Sequence, residues 1–354
     1  MPAFTIEDIV RGTRGALLGG DLGIAVAGIS IDSRSLGVGE VFFAVRGERQ
    51  DGHAFLLDAV GRGAACLVIH SVPDDLPPGV PIVLVDETTK ALGRLGAWHR
   101  QRFTIPVAAV TGSNGKTTTK EMMAAVLASL GPVLKPESSF NNQWGLPLTL
   151  VKLTAEHRAA ALELGTNRPG EIAALAEIAR PTIAAVTTVS PAHTEFLGSL
   201  DDVQREKSAL VRAIPADGAV VLNADDPRVL AMAALSAARV WTFSALGAAD
   251  IRAAGEISET PDGIGFTLET PEGRRAVRLR FAGRHNVTNA LAAAGVGAAL
   301  GLPLERIAQG LEAARPAKGR CVWRRCGALR ILDDTYNANP VSVRAALDTL
   351  SAEA

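Results

Sequence analysis

Hydrophobic and polar positions divide the chain into three parts, and the first part is built from short runs. Apolar segments at 41–45, 65–69 and 82–85 alternate with polar turn signals, and a short helical pattern covers 54–61. Short strands separated by polar loops are typical of a small α/β domain. We expect such a domain over residues 1–101.

The second part, residues 102–316, has longer apolar runs, which are typical of buried parallel strands. The strands predicted here are at 105–110, 159–164, 182–189 and 219–222. Helical segments alternate with them, and this alternation predicts an α/β fold with a doubly wound parallel sheet. Between residues 240 and 280 the turn signals come closer together, which predicts an antiparallel extension of the sheet.

The third part, residues 317–354, carries one predicted strand at 329–332 and one predicted helix that begins at Pro340. A single strand and a single helix bury too little apolar surface for a core of their own. We expect this part to be the beginning of a third α/β domain, incomplete because the rest of that domain is missing from the chain.

The composition is that of a packed globular protein. Of the 354 residues, 47% are hydrophobic and 21% are charged, which argues against disorder. The net charge of -1 gives no long-range attraction to nucleic acid or to an anionic membrane. The N-terminus lacks the pattern of a secretory signal, and the apolar runs are too short to span a bilayer. We expect a cytoplasmic, monomeric protein without a nucleic-acid partner or membrane insertion.

A glycine-rich loop, Thr111-Gly-Ser-Asn-Gly-Lys-Thr-Thr, lies between a predicted strand and a predicted helix. This is the context that a phosphate-binding loop requires. Gly112 and Gly115 allow backbone N–H groups to approach phosphates, and the start of the helix adds positive potential. Lys116 can reach the outer phosphates, and the Thr117 hydroxyl can bind Mg²⁺. A glycine-rich turn without a ligand is the alternative interpretation.

Two polar residues come at the ends of predicted buried strands. Glu163 is the next-to-last residue of the run at 159–164, and His193 follows the run at 182–189. An isolated acid in such a strand is costly unless it is paired or bound to a metal. Ligands of doubly wound sheets lie at the carboxyl ends of the strands. A structural role is the alternative for each residue, but their shared position near the phosphate loop favours a site.

Lys207 lies on the helix predicted at 203–214. On its own this lysine is interpreted as a solvent-facing helix residue, because long charged side chains usually keep their charge in water. A functional role for it needs evidence beyond its position.

These motifs together resemble the Mur ligases, over about residues 29–350. That family also lacks the first glycine of the common phosphate-loop pattern, in whose place this chain has Val110. Further segments similar to the family begin at Asn141, Glu163, Ala192, Asn223 and Gly283. Within the family, the segment Asp333-Asp-Thr-Tyr-Asn-Ala-Asn-Pro resembles the type that adds D-alanyl-D-alanine to UDP-N-acetylmuramoyl-tripeptide.

The resemblance implies a nucleotide site for ATP and Mg²⁺. The residues it implies around the phosphates are Thr111, Gly112, Ser113, Asn114, Gly115, Lys116, Thr117 and Thr118. It implies metal contacts from Thr117, Glu163, His193 and a carbamylated Lys207. It places Asn286 and Asn289 at the adenine and Asp334 at the ribose. The residues it implies in catalysis are Lys116, Lys207, His193 and Glu163.

The resemblance also implies contacts to the two other substrates. Those implied for the sugar-peptide carrier are Asn141, Asn142, Thr166, Asn167 and Arg168. Those implied for the uridine nucleotide, in the first domain, are Ser33, Arg34 and His53. Those implied for the dipeptide are Tyr336, Asn337 and Asn339.

The implied reaction is amide-bond formation in peptidoglycan precursor synthesis. ATP would convert a peptide carboxylate into an acyl phosphate, and the amine of D-alanyl-D-alanine would displace the phosphate. One alternative is a sister ligase that adds a diamino acid or glutamate to the same carrier, and a folate-polyglutamate ligase is more remote. A nucleotide-binding module without catalysis is the alternative from another class. The segment that begins at Asp333 favours the D-alanyl-D-alanine type.

Overall fold

The computed structural model describes residues 4–47, 49–136, 140–191, 197–260 and 263–352. They fall into two compact units. The first contains Met1–Thr104, Phe140–Glu156 and Glu177–Ala179. The second contains Ile105–Ser139, His157–Ala176 and Arg180–Ala354.

The elements are given in chain order. The strands are β1 Phe4–Thr5, β2 Ala16–Leu18, β3 Ala25–Val26, β4 Gly28–Ser30, β5 Glu40–Phe43, β6 Cys66–Ile69, β7 Ile82–Leu84, β8 Val107–Thr111, β9 Val133–Leu134, β10 Ala159–Glu163, β11 Ile183–Val186, β12 Ala219–Asn223, β13 Arg239–Ser244, β14 Ile251–Thr260, β15 Gly263–Thr270, β16 Gly273–Leu279, β17 Val322–Cys326 and β18 Leu329–Asp333. The α-helices are α1 Ile6–Thr13, α2 Leu56–Gly61, α3 Thr88–Arg100, α4 Lys116–Leu127, α5 Gly145–Leu150, α6 Glu171–Ala179, α7 Leu200–Arg212, α8 Pro227–Leu230, α9 His285–Ala299, α10 Leu304–Ala313 and α11 Pro340–Ser351. Short 3₁₀ helices cover Ser33–Ser35, Gly52–Phe55, Ala128–Leu130 and Ala231–Leu235.

The first unit is built on a five-stranded sheet in the order β2-β7-β6-β5-β4, beside the small pair β1-β3. The strands from β4 to β7 are parallel, and β2 joins β7 antiparallel. Strands β5 and β6 are buried almost throughout, with helices packed on the sheet. The small α/β domain that the short runs predict is therefore present in the fold.

The second unit contains a nine-stranded sheet in the order β16-β15-β14-β13-β12-β11-β8-β10-β9. All pairs from β9 to β14 are parallel, and β15 and β16 continue the sheet antiparallel. Every residue of β8, β10, β11 and β12 is buried, as expected for strands covered on both faces. The predicted doubly wound parallel sheet and its antiparallel extension are both confirmed.

The structure differs from the sequence-based predictions in the start of one helix and in the presence of one additional strand. The sequence pattern predicts a helix over 120–130 after the phosphate loop, but the helix begins at Lys116, since Gly115 turns the chain directly into it with φ +82°. The third part has two strands rather than one, because β17 pairs antiparallel with β18. The missed strand carries Arg324 and Arg325 on an exposed surface, so it lacks the apolar pattern that reveals buried strands.

Candidate active site

The loop between β8 and α4 can only be built with glycine at two positions. Gly112 has φ +152°, and a Cβ there would lie 1.9 Å from Thr187 Oγ1. Gly115 has φ +82°, and a Cβ there would lie 2.2 Å from Asn289 Oδ1. The loop is thus packed directly against the residue after β11 and against helix α9.

The start of α4 leaves backbone donors available. In the described part of the chain, no acceptor pairs with the N–H groups of Gly115, Lys116, Thr117 and Thr118. Gly115, at the helix N-cap, has no side chain that could cap them. Several unpaired N–H groups at the positive end of a helix dipole form an anion-binding site.

Lys116 is folded back over this loop. Its Nζ donates to the Gly112 carbonyl oxygen at 2.9 Å and to the Ser113 carbonyl oxygen at 3.4 Å. Burial lowers the pKa of Lys116, and the nearby Glu163 carboxylate opposes that shift. The ammonium is therefore held at the mouth of the loop, beside a carboxylate.

Glu163, at the end of strand β10, meets Thr117, at the start of helix α4. The Thr117 hydroxyl donates to Glu163 Oε2 at 2.9 Å, and both side chains are buried. Glu163 is the last residue of β10, in register with Val110 of β8, so the sheet itself places it beside the loop. The predicted position of Glu163 at a strand end is confirmed.

Lys207 is buried on α7, with 4% of its surface exposed. Burial and the positive charge of Lys116 lower the pKa of Lys207 to about 7, while Glu206 opposes the shift. The interpretation of Lys207 as a solvent-facing lysine is wrong. His193, the other residue predicted for this region, lies outside the described residues.

Hydroxyl groups that follow β11 hold the loop, and the sequence analysis did not identify them. Thr187 Oγ1 donates to the Asn114 carbonyl oxygen at 2.6 Å, and Thr188 Oγ1 accepts from Asn114 N at 3.2 Å. Ser190 exchanges 2.9 Å hydrogen bonds with Ser113. The sequence held a signal for them, because these hydroxyls come at the carboxyl end of a predicted buried strand, where ligands of doubly wound sheets lie.

The two asparagines predicted at the adenine are buried and bonded to each other. Asn289 Nδ2 donates to Asn286 Oδ1 at 2.8 Å, and Asn289 Oδ1 accepts from Thr119 Oγ1 at 3.3 Å. Asn286 Nδ2 donates to the Ala282 carbonyl oxygen. Asn289 thus lies against Gly115 of the phosphate loop, and Asn286 holds Asn289 in place.

Arg320 is a further residue that the sequence analysis missed. Its Nη2 lies 3.4 Å from Thr117 Oγ1, and its guanidinium stacks over the Tyr336 ring at 4.1 Å. Its Nε is buried without a hydrogen-bond partner in the described part of the chain. A cation so close to the loop, with an unsatisfied donor, is suited to an anionic ligand.

Of the other residues predicted in the last part of the chain, Asn339 contacts the loop, whereas Asp334 and Asn337 bond within their own part of the chain. Asn339 Nδ2 donates to Asn114 Oδ1 at 2.6 Å, while its Oδ1 caps helix α11. Asp334 Oδ1 accepts from Cys321 N at 3.1 Å. Asn337 is exposed, and its Oδ1 accepts a hydrogen bond from the neighbouring Ala338 N.

The turn after β10 is fixed by carboxylates. Glu171 Oε2 accepts from Asn167 N at 2.6 Å and from Arg168 N at 3.0 Å. Thr166 Oγ1 donates to the Arg168 carbonyl oxygen at 2.9 Å. The Asn167 and Arg168 side chains are exposed at the surface.

In the first unit, Arg34 and His53 pair with aspartates. Arg34 makes a bidentate contact to Asp32, at 2.9 and 2.7 Å, and remains largely exposed. His53 Nδ1 lies 2.8 Å from Asp51 Oδ1, and His53 Nε2 accepts from His70 N at 3.2 Å.

The other residues of the first unit that were predicted to contact the carrier are Ser33, Asn141 and Asn142. Ser33 is buried at the start of a 3₁₀ helix. Asn142 Oδ1 accepts from Trp144 N and Gly145 N, which caps α5, and Asn141 beside it is half-buried.

The described residues contain no cluster of three or more His, Cys, Asp or Glu side chains that could hold a metal. They also contain no helix long and apolar enough to cross a membrane.

Comparison with known proteins agrees with this geometry. Residues 110–297 match the Mur ligase middle domain, and residues 25–100 match the Mur ligase family catalytic domain. The UDP-N-acetylmuramoyl-tripeptide–D-alanyl-D-alanine ligase of Escherichia coli (strain K12) is 38% identical over 353 residues, which are 99% of this chain and 77% of that protein.

Solved structures are similar over the same extent. A crystal structure of MurF from Acinetobacter baumannii has a TM-score of 0.92 at 36% identity, covering 99% of this chain and 77% of that one. The MurF ligase of Thermotoga maritima in complex with ADP has a TM-score of 0.81 at 27% identity, covering 92% and 74%. The phosphate loop has the geometry described above, and relatives match the chain over nearly its whole length. The chain therefore belongs to the Mur ligase family of ATP-dependent ligases.

Proposed function

We propose that this protein joins D-alanyl-D-alanine to UDP-N-acetylmuramoyl-tripeptide and converts ATP to ADP and phosphate. The product is a precursor of peptidoglycan. The observation that carries the proposal is the loop with unpaired N–H groups beside the Thr117–Glu163 pair, in a chain whose relatives carry the name of this ligase.

The reaction consists of two displacements. A carboxylate oxygen of the tripeptide attacks the γ-phosphorus of ATP, the bond to the bridging oxygen breaks, and ADP leaves. The amine of D-alanyl-D-alanine then attacks the carbonyl carbon of the acyl phosphate. The nitrogen loses a proton, the bond from carbon to the phosphate oxygen breaks, and phosphate leaves.

Charge stabilisation is the main task of the protein in these steps, because two anions must meet and phosphate charge moves onto leaving oxygens. The N–H groups at the start of α4 and the Lys116 ammonium provide fixed positive potential for the phosphates. Arg320, next to Thr117, adds a second cation on the same side of the loop. Lys116 and Arg320 are half-buried, and their reduced contact with water strengthens their effect on the phosphates.

The residues present fit Mg²⁺. A hydroxyl and a carboxylate oxygen 2.9 Å apart are hard ligands, and Mg²⁺ is usually held by one or two carboxylates together with substrate phosphates and water. We propose that Thr117 and Glu163 hold one ion, and that His193 and a carbamylated Lys207 serve a second. A bound ion supplies positive charge that lowers the repulsion between ATP and the carboxylate.

The remaining contacts belong to the proposal as well. We propose that Asn286, Asn289 and Asp334 surround the nucleoside of ATP. Carrier contacts are proposed for Ser33, Arg34, His53, Asn141, Asn142, Thr166, Asn167 and Arg168. Dipeptide contacts are proposed for Tyr336, Asn337 and Asn339. The roles proposed for the first two predicted domains are carrier binding by residues 1–101 and ATP binding by residues 102–316.

Phosphate release with a panel of acceptors tests the proposed function. The protein is incubated with ATP, Mg²⁺ and the UDP-linked tripeptide, and then with D-alanyl-D-alanine, a diamino acid or D-glutamate. We expect release only with D-alanyl-D-alanine. Release with a single amino acid in place of the dipeptide, using the matching shorter carrier, would instead identify a sister ligase. No release with any acceptor would leave a nucleotide-binding module.

A further inference from the structure

The Glu206 carboxylate lies at the start of helix α6, although Glu206 belongs to helix α7. Glu206 Oε2 accepts from Gly170 N at 2.7 Å, and Oε1 accepts from Ile172 N at 2.7 Å. The Thr166 hydroxyl lies 3.4 Å from Oε1. Glu206 is 7% exposed, so these contacts are made away from bulk water.

Helix α6 needs this carboxylate because it has no cap of its own. Its N-cap residue, Gly170, has φ +89° and no side chain. The first N–H groups of a helix require acceptors, and an anion there also interacts favourably with the helix dipole. Glu206 supplies the acceptors and the negative charge from a neighbouring helix. Just before α6, Glu171 accepts hydrogen bonds from the N–H groups of Asn167 and Arg168.

The same contacts connect two sides of the candidate site. The turn that Glu206 holds follows β10, which ends at Glu163. Helix α7, which carries Glu206, also carries the buried Lys207. Glu206 therefore ties the start of α6 to the helix of Lys207 through backbone hydrogen bonds, and it reaches the turn itself through the Thr166 hydroxyl.

We infer that Glu206 is a positioning residue that holds the turn Thr166–Arg168 in the conformation that binds the peptide end of the carrier. The inference rests on the proposed function, because it concerns the carrier of that reaction. Glu206 acts through the turn and touches no reacting atom itself. Loss of its contacts should weaken carrier binding without affecting the phosphate loop.

Glu206→Gln tests this with little change in shape. The amide keeps one acceptor but turns an NH₂ group toward the other backbone N–H, so one of the two short hydrogen bonds is lost. A hydrogen bond to a charged group is strong enough for its loss to weaken binding about tenfold or more. Glu206→Asp keeps the charge on a shorter side chain and serves as a second variant. Glu177→Gln, an exposed position on α6, is the matched control.

The experiment measures the KM of the carrier and of ATP, together with calorimetric binding of the UDP-tripeptide without ATP or metal. We expect Glu206→Gln to raise the carrier KM and Kd about tenfold, with the ATP KM within about twofold of wild type and an intermediate effect for Glu206→Asp. An unchanged carrier Kd, or an equal rise in both KM values, would overturn the inference. Absence of ligase activity in the wild-type protein would contradict the proposed function instead, and the calorimetric comparison would still decide the role of Glu206.

Discussion

The Thr117 hydroxyl lies 2.9 Å from Glu163 Oε2, and the two residues come from a helix start and a strand end that are 46 positions apart in the chain. The parallel pairing of β8 with β10 brings them together. A buried carboxylate is costly unless a cation or hydrogen bonds compensate its charge, and here Glu163 lies near the Lys116 ammonium as well as the Thr117 hydroxyl. The proposed Mg²⁺ contact rests on this pair.

Glu163→Gln should lower the rate of ligation about 100-fold or more, since it removes negative charge from the proposed ion contact while keeping the hydrogen bond to Thr117 possible. Phosphate release at several Mg²⁺ concentrations measures the effect. Glu177→Gln, in which an exposed carboxylate is changed in the same way, should behave as wild type. Activity of Glu163→Gln close to that of wild type would remove Glu163 from the mechanism.

Lys116→Ala should reduce kcat/KM for ATP by about 100-fold or more, because the ammonium at the loop mouth would no longer balance phosphate charge. Steady-state kinetics with ATP as the varied substrate provides the measurement. The exposed Lys90 on α3 offers a control, and Lys90→Ala should leave the rate unchanged. Equal losses in the two variants would point to a general effect of charge rather than to the loop.

Tyr336 is expected to act through its ring, which supports the Arg320 guanidinium at 4.1 Å. Tyr336→Phe keeps this cation–π contact and should remain within about twofold of wild type, whereas Tyr336→Ala should lower kcat about tenfold. The kinetics of both variants are measured with D-alanyl-D-alanine varied. A higher dipeptide KM in Tyr336→Phe, at unchanged kcat, would show instead that the hydroxyl contacts the dipeptide.

His99 should make the first unit less stable in mild acid. It is buried, its Nε2 contacts the Leu153 carbonyl oxygen at 2.9 Å, and burial lowers its pKa below the ordinary 6.5. The unfolded chain therefore takes up a proton near pH 6.5 that the folded protein does not, so the stabilisation is present above pH 6.5 and is lost as the pH falls toward the folded pKa.

The variant His99→Gln should show a smaller dependence of stability on pH, together with a lower stability at every pH because a packed ring is lost. Urea unfolding between pH 5 and pH 8 compares the variant with wild type, and the difference of the two slopes isolates His99 from other titrating groups. Identical slopes would mean that His99 binds the same number of protons in the folded and unfolded states.

The sequence was most informative where local pattern and function coincide. The phosphate loop could be predicted because its residues are contiguous and lie between a strand and a helix. Glu163 could be predicted because ligands of a doubly wound sheet lie at strand ends. The burial of Lys207 was also present in the pattern, since Val203 and Leu210 lie four positions before and three after it, on the same face of α7.

The rest depends on tertiary structure. Arg320 lies 203 positions from Thr117, and Glu206 caps a helix to which it does not belong. Nothing local in the sequence marks either residue, because each acts on a distant segment that only the fold brings near. The cytoplasmic location and monomeric state expected from the composition stay predictions.

Isotope transfer from the carrier to phosphate tests the central claim most directly. The UDP-linked tripeptide is labelled with oxygen-18 in its terminal carboxylate and incubated with ATP, Mg²⁺ and D-alanyl-D-alanine, and mass spectrometry follows both products. We predict a carrier lengthened by the dipeptide and one labelled oxygen in the released phosphate, with both signals lost in Lys116→Ala. Unlabelled phosphate together with the lengthened carrier would contradict the acyl-phosphate route, and ATP hydrolysis without a lengthened carrier would contradict the ligase itself.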